Sequence, residues 1–177
     1  VAVGKAALAN NQASANTAVG FGALQANTTG TGNVAFGDEA LNEATTQVNN
    51  SAFGFEALKT ITSQNYNTAV GHSAGSKITG GQNVSIGYRA GGVAESSVSG
   101  DQNICIGMDT GYNLSSGASN VLIGADAGYN LNNDSSNVMI GQNAGLYSNG
   151  GPNTYVGYWA GRGTTNTAQS GNTGVGY

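Results

Sequence analysis

The feature that most constrains this chain is a short motif, an asparagine followed four residues later by a glycine, which recurs along the whole sequence. In one copy, residues 67–71 read Asn-Thr-Ala-Val-Gly. Successive asparagines lie 16 to 20 residues apart, most often 17. A fixed period of this length is typical of a solenoid, in which each repeat contacts only its neighbours. The pairs are Asn16 and Gly20, Asn33 and Gly37, Asn50 and Gly54, Asn67 and Gly71, Asn83 and Gly87, Asn103 and Gly107, Asn120 and Gly124, Asn137 and Gly141, Asn153 and Gly157, and Asn172 and Gly176.

The composition indicates that each repeat is built from a short strand and tight turns. Thirty glycines, a single proline and only 8% charged residues are unlike an amphipathic helical protein, and glycine at this density is costly in helices. We therefore predict an all-β solenoid or β-roll of about ten 17-residue rungs, with no helix. The repeats run through residues 1–177 without a break, so we expect a single repeat domain that is a fragment of a longer fibrous protein.

Within each repeat, alternation with period two predicts which residues share a face of the strand. We number positions from the asparagine as zero. Positions one and three carry Val, Ile, Phe or Thr, as in Val84 and Ile86, and we predict that they form the solenoid core. Position two then points away from the core, yet it is small or apolar, which predicts that copies of the chain cover it in a homotrimer. Alternatively, its alanines are simply an exposed surface. The predicted trimer-interface residues are Ala69, Cys105, Leu122, Met139 and Tyr155.

Three other positions have predicted structural roles. The glycine at position four suits a bend or a close approach between backbones. The asparagine at position zero can bond its own turn and the asparagine of the next rung, forming a ladder. Position eight is leucine up to Leu58 and glycine from Gly75 onward, and position two gains bulk soon after the leucine is lost. We infer that positions two and eight fill a shared space.

The charges and motifs exclude several function classes. Five basic residues against nine acidic ones give a net charge of -4, with no basic stripe for nucleic acid. No apolar stretch is long enough to insert into a membrane. Cys105 occupies an apolar repeat position and is interpreted as a buried hydrophobe. His72 and Ser73 lack the orienting carboxylate of a catalytic pair, so we predict no enzyme, no catalytic residue, no cofactor and no metal.

Two sets of exposed residues leave functional alternatives open. At position six, Glu39 and Glu56 fall on adjacent rungs, as do Asp109 and Asp126. Carboxylates about 5 Å apart are compatible with a solvated column, a cation between rungs or a retaining glycosidase, of which we favour the solvated column. Position five is often aromatic, which fits either caps on the core or platforms for sugars of a host surface. The predicted receptor-binding residues are Tyr88, Tyr158 and Trp159.

Residues 16–24, Asn-Thr-Ala-Val-Gly-Phe-Gly-Ala-Leu, followed by the run 27–30, Asn-Thr-Thr-Gly, resemble the repeats of bacteriophage tail fibres. More distantly, the repeats are similar to the heads of trimeric autotransporter adhesins, whose Asn-Ser-Val-Ala-Ile-Gly motif has one more residue between asparagine and glycine. The resemblance implies a non-enzymatic, homotrimeric shaft of an extracellular virion tail fibre, with a host cell-surface glycan or protein as a partner. A bacterial adhesin head at the cell surface is the alternative.

Overall fold

The computed structural model describes residues 1–92, 97–163, 167–168 and 170–177, with only the backbone of 167–168. Its regular elements are all strands, separated by turns and bends. The described part of the chain contains no helix, and therefore none that could cross a membrane. The strands are β1 (Ala2–Val3), β2 (Thr17–Val19), β3 (Val34–Phe36), β4 (Ser51–Phe53), β5 (Thr68–Val70), β6 (Val84–Ile86), β7 (Ile104–Ile106), β8 (Val121–Ile123), β9 (Val138–Ile140), β10 (Ser148–Asn149), β11 (Thr154–Val156), β12 (Thr167–Ala168) and β13 (Thr173–Val175).

Eleven of the strands stack into one parallel sheet in chain order, and β10 pairs with β12 in a second, smaller sheet. Each turn of the chain therefore adds one strand, which confirms the predicted β-solenoid with rungs of about 17 residues. The register holds even where the repeat length changes. Thr68 pairs with Val84 and Val84 pairs with Ile104, across intervals of 16 and 20 residues. Ten intervals of ~4.8 Å between strands make a rod about 48 Å long.

The predicted assignment of the two strand faces is wrong. Position two, and not positions one and three, points into the coil of its own chain. In β5, Ala69 is fully buried whereas Val70 is exposed, and the same pattern recurs in β4 and β6. The proposed trimer-interface residues are thus core residues of a single chain. Their side chains are already buried within that chain, so a second copy cannot contact them. These residues are Ala69, Cys105, Leu122, Met139 and Tyr155, none more than 4% exposed.

The physical reason is the narrowness of the coil. Its interior is filled from three sides, by position two, by position eight and by position eleven, where Ile61, Ile78, Leu114 and Leu131 are buried. A small residue at position two leaves room for the large ones opposite, because protein interiors are filled to near crystal density. Positions two and eight do share one space, as predicted. A Cβ added to Gly128 would lie 2.8 Å from Leu122 Cδ2, and one added to Gly145 would overlap with Met139.

The glycines at position four stack directly on one another, as their predicted role requires. Gly71 has a φ of 132°, and a Cβ there would lie 2.5 Å from the carbonyl oxygen of Gly87 on the next rung. Three further positions have left-handed backbone in nearly every described rung, and many of their residues are not glycine. These are the residue before the asparagine, such as Tyr66, position six, such as Glu56, and position eight, such as Leu58. The coil therefore turns its corners at fixed points of each repeat.

Candidate functional site

The most extended surface feature is the side of the sheet formed by positions one and three, which we call the outward face. Position three is Val, Ile or Phe in every strand of the large sheet. In the single chain, Phe36 is 56% exposed, and its ring stacks on that of Phe53 at 6.5 Å between centroids. Position one is Thr, Ser, Val or Ile, and no charged residue occurs at either position. The outward face is an apolar strip that follows the rod axis.

Beside the outward face, position five forms a ladder of stacked rings. The His72 ring lies between those of Phe55 and Tyr88, at 4.9 and 5.4 Å between centroids. Tyr88, one of the predicted receptor-binding residues, is exposed and also contacts the Arg89 guanidinium, whose carbon lies 4.8 Å from the ring centre. Ladders of this kind follow from repeating an aromatic residue every rung, so Tyr88 is part of a surface column that it shares with His72.

The other two predicted receptor-binding residues, Tyr158 and Trp159, form a separate cluster near the opposite end of the rod from β1. Their rings stack at 5.0 Å between centroids, and Tyr177 packs against Tyr158 at 5.5 Å. The Arg162 guanidinium lies 4.6 Å from the Trp159 ring centre. Since the Asn83 and Asn153 rungs are four apart, Tyr88 lies on the order of 19 Å along the axis from this cluster. The three predicted residues do not form one site.

The His72 and Ser73 pair makes a contact but has no catalytic surroundings in the described part of the chain. Ser73 Oγ lies 3.0 Å from His72 Nδ1, and both side chains are at the surface. No described carboxylate contacts the imidazole, so the orienting partner that a nucleophile-activating base requires is missing among the described residues. Stacking between Phe55 and Tyr88 is the interaction that positions His72.

A basic side chain contacts both acids of the first position-six pair, Glu39 and Glu56, but only one acid of the second pair, Asp109. Lys59 Nζ lies 2.6 Å from Glu39 Oε2 and 2.8 Å from Glu56 Oε1, and these hydrogen bonds raise the pKa of Lys59 above its usual range. Arg89 Nε lies 2.7 Å from Asp109 Oδ1. Among residues 1–92, 97–163 and 170–177, no three His, Cys, Asp or Glu side chains form a group that could hold a metal ion.

Asp126 lies one rung beyond Asp109, next to stacked tyrosines. Partial burial, followed by the charge of Asp109, raises the pKa of the Asp126 carboxyl. The Tyr112 and Tyr129 rings stack at 4.9 Å with nearly parallel planes, and the Arg89 guanidinium contacts the Tyr112 ring at 5.1 Å. Asp126 therefore belongs to a packed surface cluster of acidic, basic and aromatic side chains that joins three rungs.

A feature that the sequence analysis missed is a polar groove at the corner before the asparagine ladder. It has a volume of about 300 Å³ and crosses four consecutive rungs, from the Asn67 rung to the Asn120 rung. All of its described lining residues lie one to three positions before an asparagine of the motif. The signal in the sequence was the large polar or aromatic residue directly before three successive asparagines. The lining residues are Gln64, Asn65, Tyr66, Gly81, Gln82, Asp101, Gln102 and Ala118, and we call this the Tyr66 groove.

Comparison with known proteins gave no relatives. No protein-family model, no curated protein and no solved structure matches this chain. Any conclusion about function therefore depends on the surface chemistry described above and on the resemblance of the repeats.

Proposed function

We propose that this chain is a non-enzymatic structural segment of a fibre shaft, in which three copies pack against one another along the outward face. The fibre type that we propose is a viral tail fibre, found extracellularly on the virion. The observation that supports this proposal is the unbroken column of Val, Ile and Phe that position three places on the outside of the single chain.

An apolar strip of this length is unusual for a surface that stays in water. A sheet face in contact with water normally carries polar residues, and contiguous exposed apolar patches above a few hundred Å² usually mark interaction sites. The strip extends for ~48 Å along the axis and ~7 Å between positions one and three. Exposed position-five residues such as Phe55 and Met108 widen it. Burying it would stabilise an assembly by about 25 cal/mol per Å² before the costs of association.

The partner that best fits this strip is another copy of the same chain. A second rod has the same ~4.8 Å spacing between strands and the same length, so its ridges can follow those of the first along the whole strip. The uncharged outward face places no like charges opposite each other in a symmetric assembly, as a closed homo-oligomer requires. A threefold arrangement lets every copy bury this one face near a shared axis.

A shaft also fits the regularity of the chain. A spacer needs a stiff element of constant cross-section, and stacked in-register rungs provide one. The tail-fibre identity comes from the resemblance of the repeats, and a bacterial adhesin head is the alternative. The adjoining protein sequence distinguishes them, because a chaperone domain indicates a phage fibre and a membrane-anchor barrel indicates a bacterial protein.

Host attachment is a secondary role that we propose for Tyr88 and for the cluster of Tyr158 and Trp159, all of which are exposed. Aromatic faces are suited to stacking on sugars. If these residues bind a receptor, the protein is retained on host cells and alanine substitutions reduce retention. A pure spacer is not retained.

Solution mass tests the assembly. Sedimentation equilibrium of the intact chain is expected to give three times 17.6 kDa, and electron microscopy is expected to show rods. A mass of 17.6 kDa at all concentrations up to about 0.1 mM, well above the Kd expected for a standard-sized interface, would contradict the proposal. If the protein were instead an enzyme that degrades glycans, incubation with host polysaccharide would shorten the polysaccharide molecules.

A further inference from the structure

We propose that the Tyr66 groove is a binding site for a neutral glycan. This inference does not depend on the proposed shaft, because the groove is formed within a single chain. It also differs from the receptor-binding residues considered above, since Tyr88, Tyr158 and Trp159 are absent from its lining.

Tyr66 has an unusual conformation for an aromatic residue. Its backbone is left-handed, with φ at 63°, and its side chain is 58% exposed. A left-handed residue other than Gly, Asn or Asp costs roughly 1–2 kcal/mol, and a bulky ring in this region is uncommon. The corresponding left-handed residues of other rungs are not aromatic: they are Ala15, Asn49, Gln82, Gln102, Ser119 and Ser136. Neither backbone preference nor burial explains a tyrosine here, whereas a ligand that stacks on the ring does.

The groove that contains this ring is also lined by hydrogen-bonding side chains. Gln102 Nε2 donates to Gln82 Oε1 at 2.9 Å, and this bond fixes the orientation of both amides. Because the Gln82 oxygen accepts this bond, its own Nε2 is left to donate, and no described residue accepts from it. Asp101 Oδ1 accepts the backbone N–H of Gly81 at 2.6 Å, which holds the carboxylate and leaves Oδ2 to accept. A donor and an acceptor that line the same groove can bond different hydroxyls of one sugar.

The chemistry of the groove lining indicates the class of ligand. A flat aromatic ring next to amide and carboxylate groups provides a stacking surface for the C–H face of a pyranose and partners for its hydroxyls. The described lining residues include one carboxylate, Asp101, and no basic side chain. An anionic sugar would be repelled, so the glycan is neutral. The groove crosses four rungs along the axis, which fits a short linear oligosaccharide better than a branched one.

The test is saturation-transfer NMR on the intact protein with maltotriose, cellotriose, lactose and chitotriose as neutral probes and 3′-sialyllactose as the anionic probe. We expect saturable binding of at least one neutral probe, with a Kd on the order of 1 mM because the groove is small and open. The Tyr66→Asn variant removes the ring but keeps a residue that tolerates left-handed backbone. It is expected to weaken binding at least about tenfold without lowering Tm.

Ser136→Asn is the matched control, since it places the same side chain at the equivalent left-handed position of a rung outside the groove. It should leave binding unchanged, while Tyr66→Phe should retain most of it. The proposal is overturned if no neutral probe binds saturably, if Tyr66→Asn binds as well as the unaltered chain, or if 3′-sialyllactose binds more tightly than every neutral probe. These results are independent of the solution mass that tests the shaft.

Discussion

Asn50 accepts the backbone N–H of Asn67 through its side-chain Oδ1 at 2.9 Å, and the same bond repeats on every rung from Asn16 to Asn172. The side-chain nitrogen meanwhile donates to a carbonyl of the return segment, as from Asn67 to Gly80 at 3.0 Å. Each of these amides thus ties its strand to the next rung, and bonds such as that from Asn67 to Gly80 also hold the end of a return segment. The predicted asparagine ladder is confirmed, and it is internal.

Replacing Asn67 by alanine is expected to destabilise the solenoid by roughly 2–6 kcal/mol. The change leaves the buried N–H of Asn83 and the carbonyl of Gly80 without partners, and each unsatisfied group costs about 1–3 kcal/mol. Urea unfolding followed by circular dichroism measures the loss. Thr68→Ala is the control, because its side chain lies on the partly exposed outward face. Equal midpoints for the two variants would contradict the structural role of the ladder.

The column of stacked glycines gives a second prediction, which separates backbone strain from steric overlap. Gly71→Ala and Gly176→Ala both place a methyl group on backbone of positive φ, at 132° and 121°. Only at Gly71 would that methyl lie 2.5 Å from a carbonyl oxygen, that of Gly87, whereas nothing lies within 4 Å at Gly176. We expect Gly71→Ala to cost at least about 2 kcal/mol more, in the range of overpacking. Similar losses in thermal unfolding would argue against the close stacking.

The shared space of positions two and eight predicts a compensating pair of substitutions. Met139→Ala leaves a cavity and is expected to cost about 2–5 kcal/mol, and Gly145→Leu overfills the same space at about 1–3 kcal/mol. The double variant recreates the pairing of Ala52 and Leu58, and leucine already occupies left-handed backbone at Leu58. We expect the double variant to be more stable than the sum of the two losses implies.

A double-mutant cycle measured by urea unfolding tests this coupling. Cys105→Ala combined with Gly145→Leu is the control, because Gly145 contacts Met139 and the Cys105 side chain lies beside Gly111 on a different rung. The control pair should be additive within about 0.5 kcal/mol. If the two cycles give equal coupling, positions two and eight do not share a packing space.

The residue sizes at positions two and eight also show how much of the fold could be predicted from the sequence. The period, the parallel register, the glycine column and the coupling of Met139 to Gly145 all follow from spacing and residue size. The direction of the strand faces did not, because both faces of strands such as β8 are apolar and alternation cannot rank them. The inverse size relationship of positions two and eight was the available signal, since a leucine such as Leu41 needs an interior and position two of the same repeat holds only Ala35, which is also buried.

The candidate binding residues were harder to predict than the fold. The Tyr66 groove depends on a corner where four successive rungs bring together residues that are far apart in the sequence, and spacing alone does not show which corner is open. Left-handed backbone at Tyr66, Gln82 and Gln102 is likewise a property of the folded coil. In contrast, the ring ladder through Phe55, His72 and Tyr88 followed directly from their shared position five.

The outward face gives a prediction about assembly. Phe53→Lys places a charge on the apolar strip, where burial against another copy would be opposed by the cost of desolvating the ammonium group. We expect dissociation to single chains with the circular dichroism spectrum unchanged, because the Phe53 side chain lies outside the coil. Sedimentation equilibrium measures the mass. Thr62→Lys adds the same charge at an exposed residue of the return segment and should keep the assembled mass. Loss of assembly in both variants, or in neither, would contradict this interface.

The burial of Cys105 predicts that the folded chain loses stability at alkaline pH. Burial raises the pKa of its thiol from 9.0 to about 12, so the folded chain holds the proton where the unfolded chain releases it. Stability is therefore full below pH 9 and falls as pH rises from 9 to about 12, by up to about tenfold in the unfolding equilibrium per pH unit. The thiol should not react with a disulfide reagent at pH 8 until urea unfolds the chain.

Cys105→Ala is the comparison for this pH dependence. It creates a small cavity and lowers stability at every pH, but it removes the thiol and keeps all the tyrosines and lysines that also titrate in this range. The difference in unfolding free energy between the two proteins should therefore narrow from pH 9 to pH 11. A constant difference, or rapid reaction of the native thiol at pH 8, would show that Cys105 is not enclosed by the coil and would weaken the inward placement of position two.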